Sequence, residues 1–352
     1  MDIAMFDYPL PAERIAQVPL TDREMSKMLV LEGDRIEDRR FVELPSLLRS
    51  GDLLVLNDSR VFRARLRDGT TEVLFLRQLE DGAHWEALCR PARRFEPGRC
   101  VEVKGVALRV EHPRGKFGKR IMCPPDGVDL MAVLEQLGEP PLPPYIHRNS
   151  SPELRGIDIE RYQTVYADPA GSAAAPTAGL HFSRRMLAEI ETKCEVVRIT
   201  LHVSNATFQP IRTQSIEDHR MDAEAYMIGD EAARRIEEAR ERSRRGEGRV
   251  VAVGTTVVRA LESAAATGKI LPGRGTASLY LTPGYRFTVV DALLTNFHQP
   301  RSSLLVLVSA FAGIGQVQGA YRHALDHGYR FLSYGDCMFI RHAHDRHTPG
   351  LS

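Results

Sequence analysis

Three histidines stand in polar settings next to apolar segments, and they are the side chains of this sequence best suited to proton transfer. His181 closes a loop rich in small residues, His202 lies beside Thr200 on the polar face of a predicted strand, and His298 lies in a polar turn before an apolar helix. Histidine is favoured for acid–base catalysis because its pKa lies near neutrality. For each the alternative is a structural ring that hydrogen-bonds in the core or in a turn, and the sequence does not select among the three.

The segment 171–182 has the composition of a ligand-binding loop. It reads Gly-Ser-Ala-Ala-Ala-Pro-Thr-Ala-Gly-Leu-His-Phe, with few bulky apolar side chains. Small residues let a ligand approach the backbone, and the helix predicted after Ser183 offers free N–H groups at its start. The binding residues predicted here are Gly171, Ser172, Pro176, Thr177 and Gly179. A tight interdomain turn is the alternative.

A second predicted binding point lies between an apolar strand and the helix predicted at 257–266. Thr255 and Thr256 occupy this junction, where helix N-terminal amides suit a carboxylate or sugar hydroxyls. Arg259, one turn further, is suited to pairing with a carboxylate or phosphate, and Asp336 to accepting a hydrogen bond from an amine. Simple capping, coverage of a helix face and an ordinary turn aspartate are the respective alternatives.

The segment 88–122 is strongly basic. It holds ten Lys or Arg residues against three Asp or Glu, and it includes Arg93 and Arg94, with Phe95 and Phe117 among them. Phosphate attraction combined with aromatic stacking is typical of RNA-binding surfaces. The alternative is a sheet edge protected by exposed charge.

Composition bounds the class of protein. The chain has 352 residues, 43% hydrophobic and 26% charged, which is ordinary for a soluble globular protein, and its net charge of +1 excludes a histone-like nucleic-acid binder. Five cysteines without C-x-x-C spacing argue against a zinc ribbon or a disulfide framework and favour a reducing cytoplasm. The start of the chain shows no signal-peptide pattern, and the longest apolar helix, 304–312, is far shorter than the ~20 residues of a membrane span. We therefore expect a cytoplasmic, metal-independent protein without membrane contact.

The elements predict two domains, one inserted into the other. Strands are predicted at 28–31, 53–56, 73–77, 85–89, 100–103, 107–110, 120–122 and 196–203, and helices after Ser183 and at 231–245, 257–266 and 304–312. Short strands separated by Gly/Pro turns between 61 and 145 suggest a small antiparallel β-barrel. Residues 1–60 and 146–352 would form the larger mixed α/β domain, with the barrel inserted at 61–145.

Several of these segments together resemble the S-adenosylmethionine:tRNA ribosyltransferase-isomerase family, and the resemblance spans nearly the whole chain. Its patterns are matched at 171–182, at 252–263 (Ala-Val-Gly-Thr-Thr-x-x-Arg-x-Leu-Glu-Ser) and at 295–302 (Thr-Asn-Phe-His-x-Pro-x-Ser). Shorter matches are Phe-Asp-Tyr-Pro-Leu-Pro at 6–11, Leu-Asn-Asp-Ser-Arg-Val at 56–61 and Tyr-Arg-Phe-Leu-Ser-Tyr-Gly-Asp at 329–336. The resemblance implies a mixed α/β fold with a barrel-like sheet and an inserted small β-barrel.

The resemblance also implies a reaction and its ligands. The ribosyl group of S-adenosylmethionine would be transferred and isomerised onto the aminomethyl group of a 7-deazaguanine in a tRNA anticodon loop, giving epoxyqueuosine, adenine and methionine. We further expect a monomer that needs no metal. Asn296 would join the donor-binding residues given above. The tRNA-binding residues implied are Asn57, Asp58, Arg60, Arg93, Arg94, Tyr334 and Asp336.

The sequence departs from the family pattern at four positions. Val18 replaces a histidine, Ser204 and Ala206 replace glycines, and Asp222 replaces another histidine. Serine and alanine narrow the space that glycine leaves, and aspartate exchanges a group that titrates near neutrality for one that is normally ionised. Two alternatives therefore stay open: a paralog that uses the same donor on a small-molecule acceptor, and a tRNA-binding homolog without catalysis.

Overall fold

The computed structural model describes residues 1–111, 118–148, 152–203 and 210–341. The strands are β1 Lys27–Glu32, β2 Arg35–Arg40, β3 Leu53–Asn57, β4 Arg60–Val61, β5 Arg65–Asp68, β6 Thr71–Gln78, β7 Trp85–Arg90, β8 Cys100–Val103, β9 Val106–Val110, β10 Arg120–Cys123, β11 Ala170–Ser172, β12 Glu195–Leu201, β13 Glu224–Ile228, β14 Val250–Val253, β15 Gly273–Ala277, β16 Ala292–Asn296 and β17 Cys337–Arg341. The α-helices are α1 Leu44–Leu47, α2 Leu130–Leu137, α3 Pro152–Arg161, α4 Arg184–Glu191, α5 Asp230–Arg244, α6 Thr255–Ala264, α7 Ser303–Ala312 and α8 Ile314–Asp326. Short 3₁₀ helices include Ile3–Phe6, Arg23–Met25, Phe41–Glu43 and Thr177–His181.

A nine-stranded mixed sheet forms the centre of the fold, in the order β15-β13-β12-β3-β14-β16-β17-β1-β2. β12, β3, β14 and β16 are parallel neighbours. β17 runs antiparallel to β16 and parallel to β1, so the starts of β17 and β1 lie at the edge where the four parallel strands end. The predicted mixed α/β architecture is confirmed.

Both faces of this sheet are buried, which explains why its central strands are nearly continuous apolar runs. On one face Leu53 and Val55 pack in a cluster that includes side chains of α5, α6, α7 and α8. On the other face Leu54 and Leu56 pack with Phe182 and residues of α4. The alternation along β3 therefore serves two cores, one on each side of the sheet.

A second sheet of six antiparallel strands is built wholly from the segment 65–123. Its order is β5-β6-β7-β10-β9-β8, with β5 and β8 at the ends of the hydrogen-bonded series and close to each other in space. Trp85, Phe75 and Phe95 are buried in its own apolar cluster, and α2 adds Leu130 and Leu134. The antiparallel strands predicted for this part of the chain are present.

The predicted cap of α4 and the predicted buried face of α5 are confirmed. Ser183 Oγ accepts a hydrogen bond from the Met186 amide at 3.0 Å and so caps α4. The narrow stripe of α5, Ala232, Ile236 and Ala239, is buried as predicted. Among the described residues no single helix has the length and apolarity to cross a bilayer, and α7 with α8 meets that test only as a pair bent by 113°.

Candidate active site

Most of the predicted site residues converge at one edge of the large sheet. The carboxyl ends of the parallel strands carry Asn57 (β3), His202 (after β12), Thr255 (after β14) and Asn296 (β16). In open α/β sheets ligands bind in the crevice outside the carboxyl ends of the strands. The topology therefore makes this edge the candidate active site.

The segment 171–182 crosses this edge and links its parts. It begins as β11, which pairs with β4 just after β3, and it ends in the 3₁₀ helix Thr177–His181 beside β16. Nearly all of it is buried, so it is more ordered than its loop-like composition predicts. Gly179 lies against the Tyr166 hydroxyl, which a Cβ would strike, while Pro176 is buried and Thr177 half-buried.

His202 is half-buried and lies where β12 and β11 meet. Its Nδ1 is 2.8 Å from the Oγ of Ser59, a fully buried residue. A Cβ added at Gly171 would lie 2.6 Å from His202 Cε1, so only glycine leaves room for this ring position. Burial lowers the pKa of His202 below its usual value, which keeps the ring neutral at pH 7. Its Nε2 makes no hydrogen bond with the described residues, so in the tautomer whose Nδ1–H donates to Ser59 Oγ the ring can accept a proton at Nε2.

Asp58 lies next to Ser59 in the chain, and its side chain contacts β12. Thr200 Oγ1 donates a hydrogen bond to its carboxylate at 2.7 Å, and burial raises the pKa of Asp58. Its neighbours Asn57 and Ser172 are fully buried and bind main-chain groups: Asn57 bonds to Leu201, and Ser172 Oγ accepts from the Val203 amide at 2.8 Å. These two side chains fix the backbone that presents Asp58 and His202.

His181 is buried at the other end of the same edge and is held in one tautomer. Asn296 Nδ2 donates to its Nε2 at 3.2 Å, and its Nδ1 donates to Ser26 Oγ at 2.9 Å. Burial, followed by the charges of Arg330 and Arg23, lowers the pKa of His181 to about 3. The ring is therefore a neutral hydrogen-bonding group with both nitrogens occupied, which suits orienting Asn296 better than taking a proton from a ligand.

His298 is also buried and neutral. Its Nε2 lies 2.8 Å from Thr295 Oγ1, its amide donates to the Tyr321 hydroxyl, and its carbonyl accepts from Tyr8. Burial lowers its pKa to about 3. These contacts hold His298 in the turn after β16 and occupy its Nε2, while its Nδ1 makes no hydrogen bond with the described residues.

The 252–263 motif contributes both a helix start and internal ion pairing. Thr255 and Thr256 form the buried N-terminus of α6, next to Gly254, whose φ of +95° is in the region that favours glycine. Arg259 binds the Glu224 carboxylate and donates to the Ala277 carbonyl at 2.9 Å. Its charge is thus already neutralised inside the protein.

Tyr334 and Asp336 hold the segment before β17 in place. Tyr334 donates to Asp158 at 3.0 Å, and burial raises its pKa. Asp336 accepts from the amides of Lys27 and Arg330 at 2.9 and 2.7 Å, which ties the start of β1 to this segment. Both side chains therefore position the edge on which His181 and Asn296 lie.

The predicted tRNA-binding arginines lie outside this cluster. Arg93 and Arg94 are exposed on the small sheet, and Arg94 donates to Thr71 Oγ1. Arg60 lies on β4 and pairs with Glu135 of α2 at 3.0 Å. Phe95 is fully buried in the small-sheet core, so the base stacking predicted for it is wrong; Phe117 lies outside the described residues.

Two of the four family departures can be located. The Val18 side chain is exposed, and its carbonyl accepts from Arg330 at 3.3 Å. Asp222 is half-exposed, 3.8 Å from Lys119 Nζ beside β10, where it connects the main sheet with the small one. Ser204 and Ala206 lie outside the described residues.

The sequence interpretation did not single out four residues that the structure brings to this edge. Ser59 and Arg330 stand inside the matched segments 56–61 and 329–336, and that position was the available signal. Ser26 and Arg23 belong to the short 3₁₀ helix and turn before β1 and carry no pattern of their own. Only the pairing of β1 with β17 places them beside His181.

Comparison with known proteins agrees with this arrangement. The family described as "Queuosine biosynthesis protein" matches residues 3–340. Proteins named S-adenosylmethionine:tRNA ribosyltransferase-isomerase are similar over nearly their whole length: that of Aromatoleum aromaticum is 47% identical, covering 97% of both chains, and that of Natranaerobius thermophilus is 44% identical, covering 97% of this chain and 100% of its own. The crystal structure of S-adenosylmethionine tRNA ribosyltransferase from Thermotoga maritima is similar with a TM-score of 0.54 and 34% identity, covering 96% of this chain and 99% of its own.

The fold is that of a mixed α/β protein whose candidate ligand site lies at the carboxyl ends of parallel strands. The chain belongs to the queuosine biosynthesis protein family.

Proposed function

We propose that this protein is an S-adenosylmethionine:tRNA ribosyltransferase-isomerase. It transfers and isomerises the ribosyl group of S-adenosylmethionine onto 7-aminomethyl-7-deazaguanine in tRNA, giving epoxyqueuosine with release of adenine and methionine. The observation that carries this proposal is the near-full-length similarity to relatives of that name. The matched segments 56–61, 171–182, 252–263 and 295–302 all reach one sheet edge, which is consistent with a shared donor site.

His202 is the proposed base. The reaction needs a group that removes a proton next to the positively charged sulfonium, and a base must be neutral and accessible at the working pH. His202 meets both conditions, since its pKa is lowered and its Nε2 is open among the described residues. Asn296 would hydrogen-bond the donor through its Oδ1, which is buried and makes no hydrogen bond with the described residues. His181, with both ring nitrogens occupied, would hold the Asn296 amide in orientation.

The remaining donor-binding groups would come from the start of α6 and from the segment 171–182. The amides at Thr255 and Thr256 would bind donor oxygens, and the segment from Gly171 to Gly179 would enclose the donor. Arg259 would act indirectly in this arrangement, because its side chain binds Glu224. His298 would also act indirectly, because it is buried in the turn after β16, whereas His202 is half-buried.

The tRNA would lie across the small sheet. Residues 61–145 form an inserted barrel-like domain in this proposal, supported by their own sheet and their own apolar core. Arg93 and Arg94 would contact phosphates, which requires exposed guanidinium groups and no aromatic stacking. Asp222 and Lys119 lie where this domain meets the main sheet, a position suited to the acceptor base.

The proposal includes no metal, because the sulfonium charge already activates the donor. It further includes a monomer acting in the cytoplasm, where tRNA is available. All five cysteines are free, in agreement with a reducing compartment.

The test is a reaction with defined substrates. Purified protein, S-adenosylmethionine and tRNA carrying the aminomethyl-deazaguanine should release adenine and methionine in equal amounts, and the same tRNA with unmodified guanine at that position should release neither. His202→Asn, which retains a group near the Nδ1 position, should lose adenine release while keeping donor affinity. Absence of adenine release by the native protein would contradict the proposed function.

The four departures provide the test of the alternatives. Changing Ser204→Gly, Ala206→Gly and Asp222→His together restores the family residue at three of the four positions and leaves Val18 unchanged. If the chain is a paralog or an inactive binder, the native protein releases no adenine with this tRNA and the triple variant gains release. If native activity is robust and the triple variant matches it, the departures are neutral and the tRNA reaction stands.

A further inference from the structure

A small pocket beside His181 is lined by three arginines. Arg23 comes from the turn before β1, Arg161 from the end of α3 and Arg330 from the segment before β17. Its cavity volume is about 20 Å³, which admits one oxygen atom but not a whole carboxylate or phosphate. Ser26 and the buried His181 also line this pocket.

The three guanidinium groups are held in place by main-chain carbonyls. Arg23 Nη1 donates to the carbonyl of Leu180 at 3.2 Å, Arg161 Nη1 to that of Thr21 at 3.1 Å, and Arg330 Nη1 to that of Val18 at 3.3 Å. Carbonyl bonds fix the orientation of a guanidinium and leave its full positive charge. The arginines are therefore positioned before any ligand arrives.

No carboxylate of the described residues forms a salt bridge with these three arginines, although Glu160 lies close enough to act on Arg23, and Asp336 on Arg330. Burial and the charge of Arg161 lower the pKa of Arg23, and this outweighs the opposite effect of Glu160. Arg330 Nη2 and Arg161 Nε are buried and make no hydrogen bond. A buried N–H without a hydrogen bond destabilises the fold, and so does repulsion among several positive charges around one small space. A bound anion would accept the hydrogen bonds and reduce the repulsion.

We infer that this pocket receives one oxygen of a substrate oxyanion, the rest of which lies outside it, and that Arg23, Arg161 and Arg330 bind this oxyanion. A planar guanidinium matches carboxylate and phosphate oxygens geometrically, and its charge-assisted hydrogen bonds are the strong ones. Two groups supply this chemistry: the methionine carboxylate of the donor and a backbone phosphate of tRNA. The inference rests on the proposed function, since it concerns that reaction's substrates.

The test replaces one arginine and compares two donors. Arg330→Gln removes the charge and keeps a side chain able to reach the Val18 carbonyl, and Arg322→Gln, on the exposed face of α8, is the matched control. Affinities are measured by calorimetry for S-adenosylmethionine, for its decarboxylated analogue and for the tRNA. Loss of one charge-assisted contact should weaken binding by about 10- to 100-fold.

The pattern of losses identifies the source of the oxyanion. If an oxygen of the carboxylate occupies the pocket, Arg330→Gln weakens S-adenosylmethionine binding and leaves the decarboxylated analogue unaffected. If a phosphate oxygen does, the variant weakens tRNA binding, lowers its salt dependence and spares both donors. Native affinity for all three ligands in a folded, Arg330-substituted protein would overturn the inference, whereas the proposed function fails separately, through absence of adenine release by the native enzyme.

Discussion

Substituting Gly171 by alanine should displace the His202 ring and so reduce catalysis, although His202 itself is not changed. An added Cβ would lie 2.6, 2.8 and 2.9 Å from the Cε1, Nε2 and Nδ1 atoms of the ring. Carbon contacts relax to about 3.5 Å or more, so the ring must move by roughly 0.9 Å. Ser59 is fully buried and its amide is bound to Asn57, and so it does not follow. The Ser59–His202 hydrogen bond of 2.8 Å is then broken.

The size of the effect follows from this displacement. Misplacement of a reacting group by about 1 Å costs on the order of 100-fold in rate, so kcat for tRNA-dependent adenine release should fall by roughly that factor. The kcat is compared at saturating S-adenosylmethionine, because Gly171 also belongs to the segment proposed to enclose the donor. Gly315→Ala is the control, because a Cβ on that exposed residue of α8 meets nothing within 4 Å.

The pH profile supplies a second readout of the same side chain. Because burial lowers the pKa of His202, the rising limb of kcat against pH should have its midpoint below the ordinary histidine value of about 6.5. The limb should vanish in His202→Asn. Native kcat in a folded Gly171→Ala protein, checked by its thermal midpoint, would refute the placement of His202 at the reacting atoms.

Two further predictions concern the small sheet and the buried histidines. Replacing both Arg93 and Arg94 by alanine should weaken tRNA binding and reduce the slope of log affinity against log salt by about 1 to 2, while donor affinity stays native; Arg234→Ala, on the exposed face of α5, should change neither. The pKa of His181 and that of His298 are about 3 in the folded protein and near 6.5 in the unfolded one. Between these pH values the unfolded state binds more protons than the folded state. The free energy of unfolding should therefore fall as the pH drops from 6.5 towards 3, by up to about 1.4 kcal/mol per pH unit for each ring. Urea unfolding at pH 7 and pH 5 measures this slope, and His298→Gln should remove one ring's share; an unchanged slope would show that His298 is not buried in its neutral form.

Local patterns predicted the elements well because they depend on nearest neighbours. The alternation of Val197, Ile199, Leu201 and Val203 predicted a strand with one buried face, and all four side chains are buried. The strand predicted at 100–103 coincides with β8. Periodicity could not predict that Arg240, on the charged helix α5, is buried, since its donation to the Thr288 carbonyl at 3.1 Å depends on a partner far away in sequence.

The site was predictable only in part, for the same reason. The sequence placed His181, His202 and His298 in polar junctions, yet their chemical difference comes from long-range contacts. Ser59 leaves one His202 nitrogen open, whereas Ser26 and Asn296 occupy both nitrogens of His181. Spacing along the chain carries no information on such partners, which sheet topology brings together.

The position of β17 determines when the β1–β2 hairpin can join the large sheet during synthesis. β17 lies between β16 and β1, so the β1–β2 hairpin joins the rest of the sheet only through one of the last strands made. An isolated two-stranded hairpin is marginal in water, and chains are made from the N-terminus onward. Until β17 is made, that hairpin lacks its partner strand and depends on side-chain contacts such as that of Asp38 with His323 of α8. Ribosome-bound chains halted before β17 should leave β1 sensitive to protease.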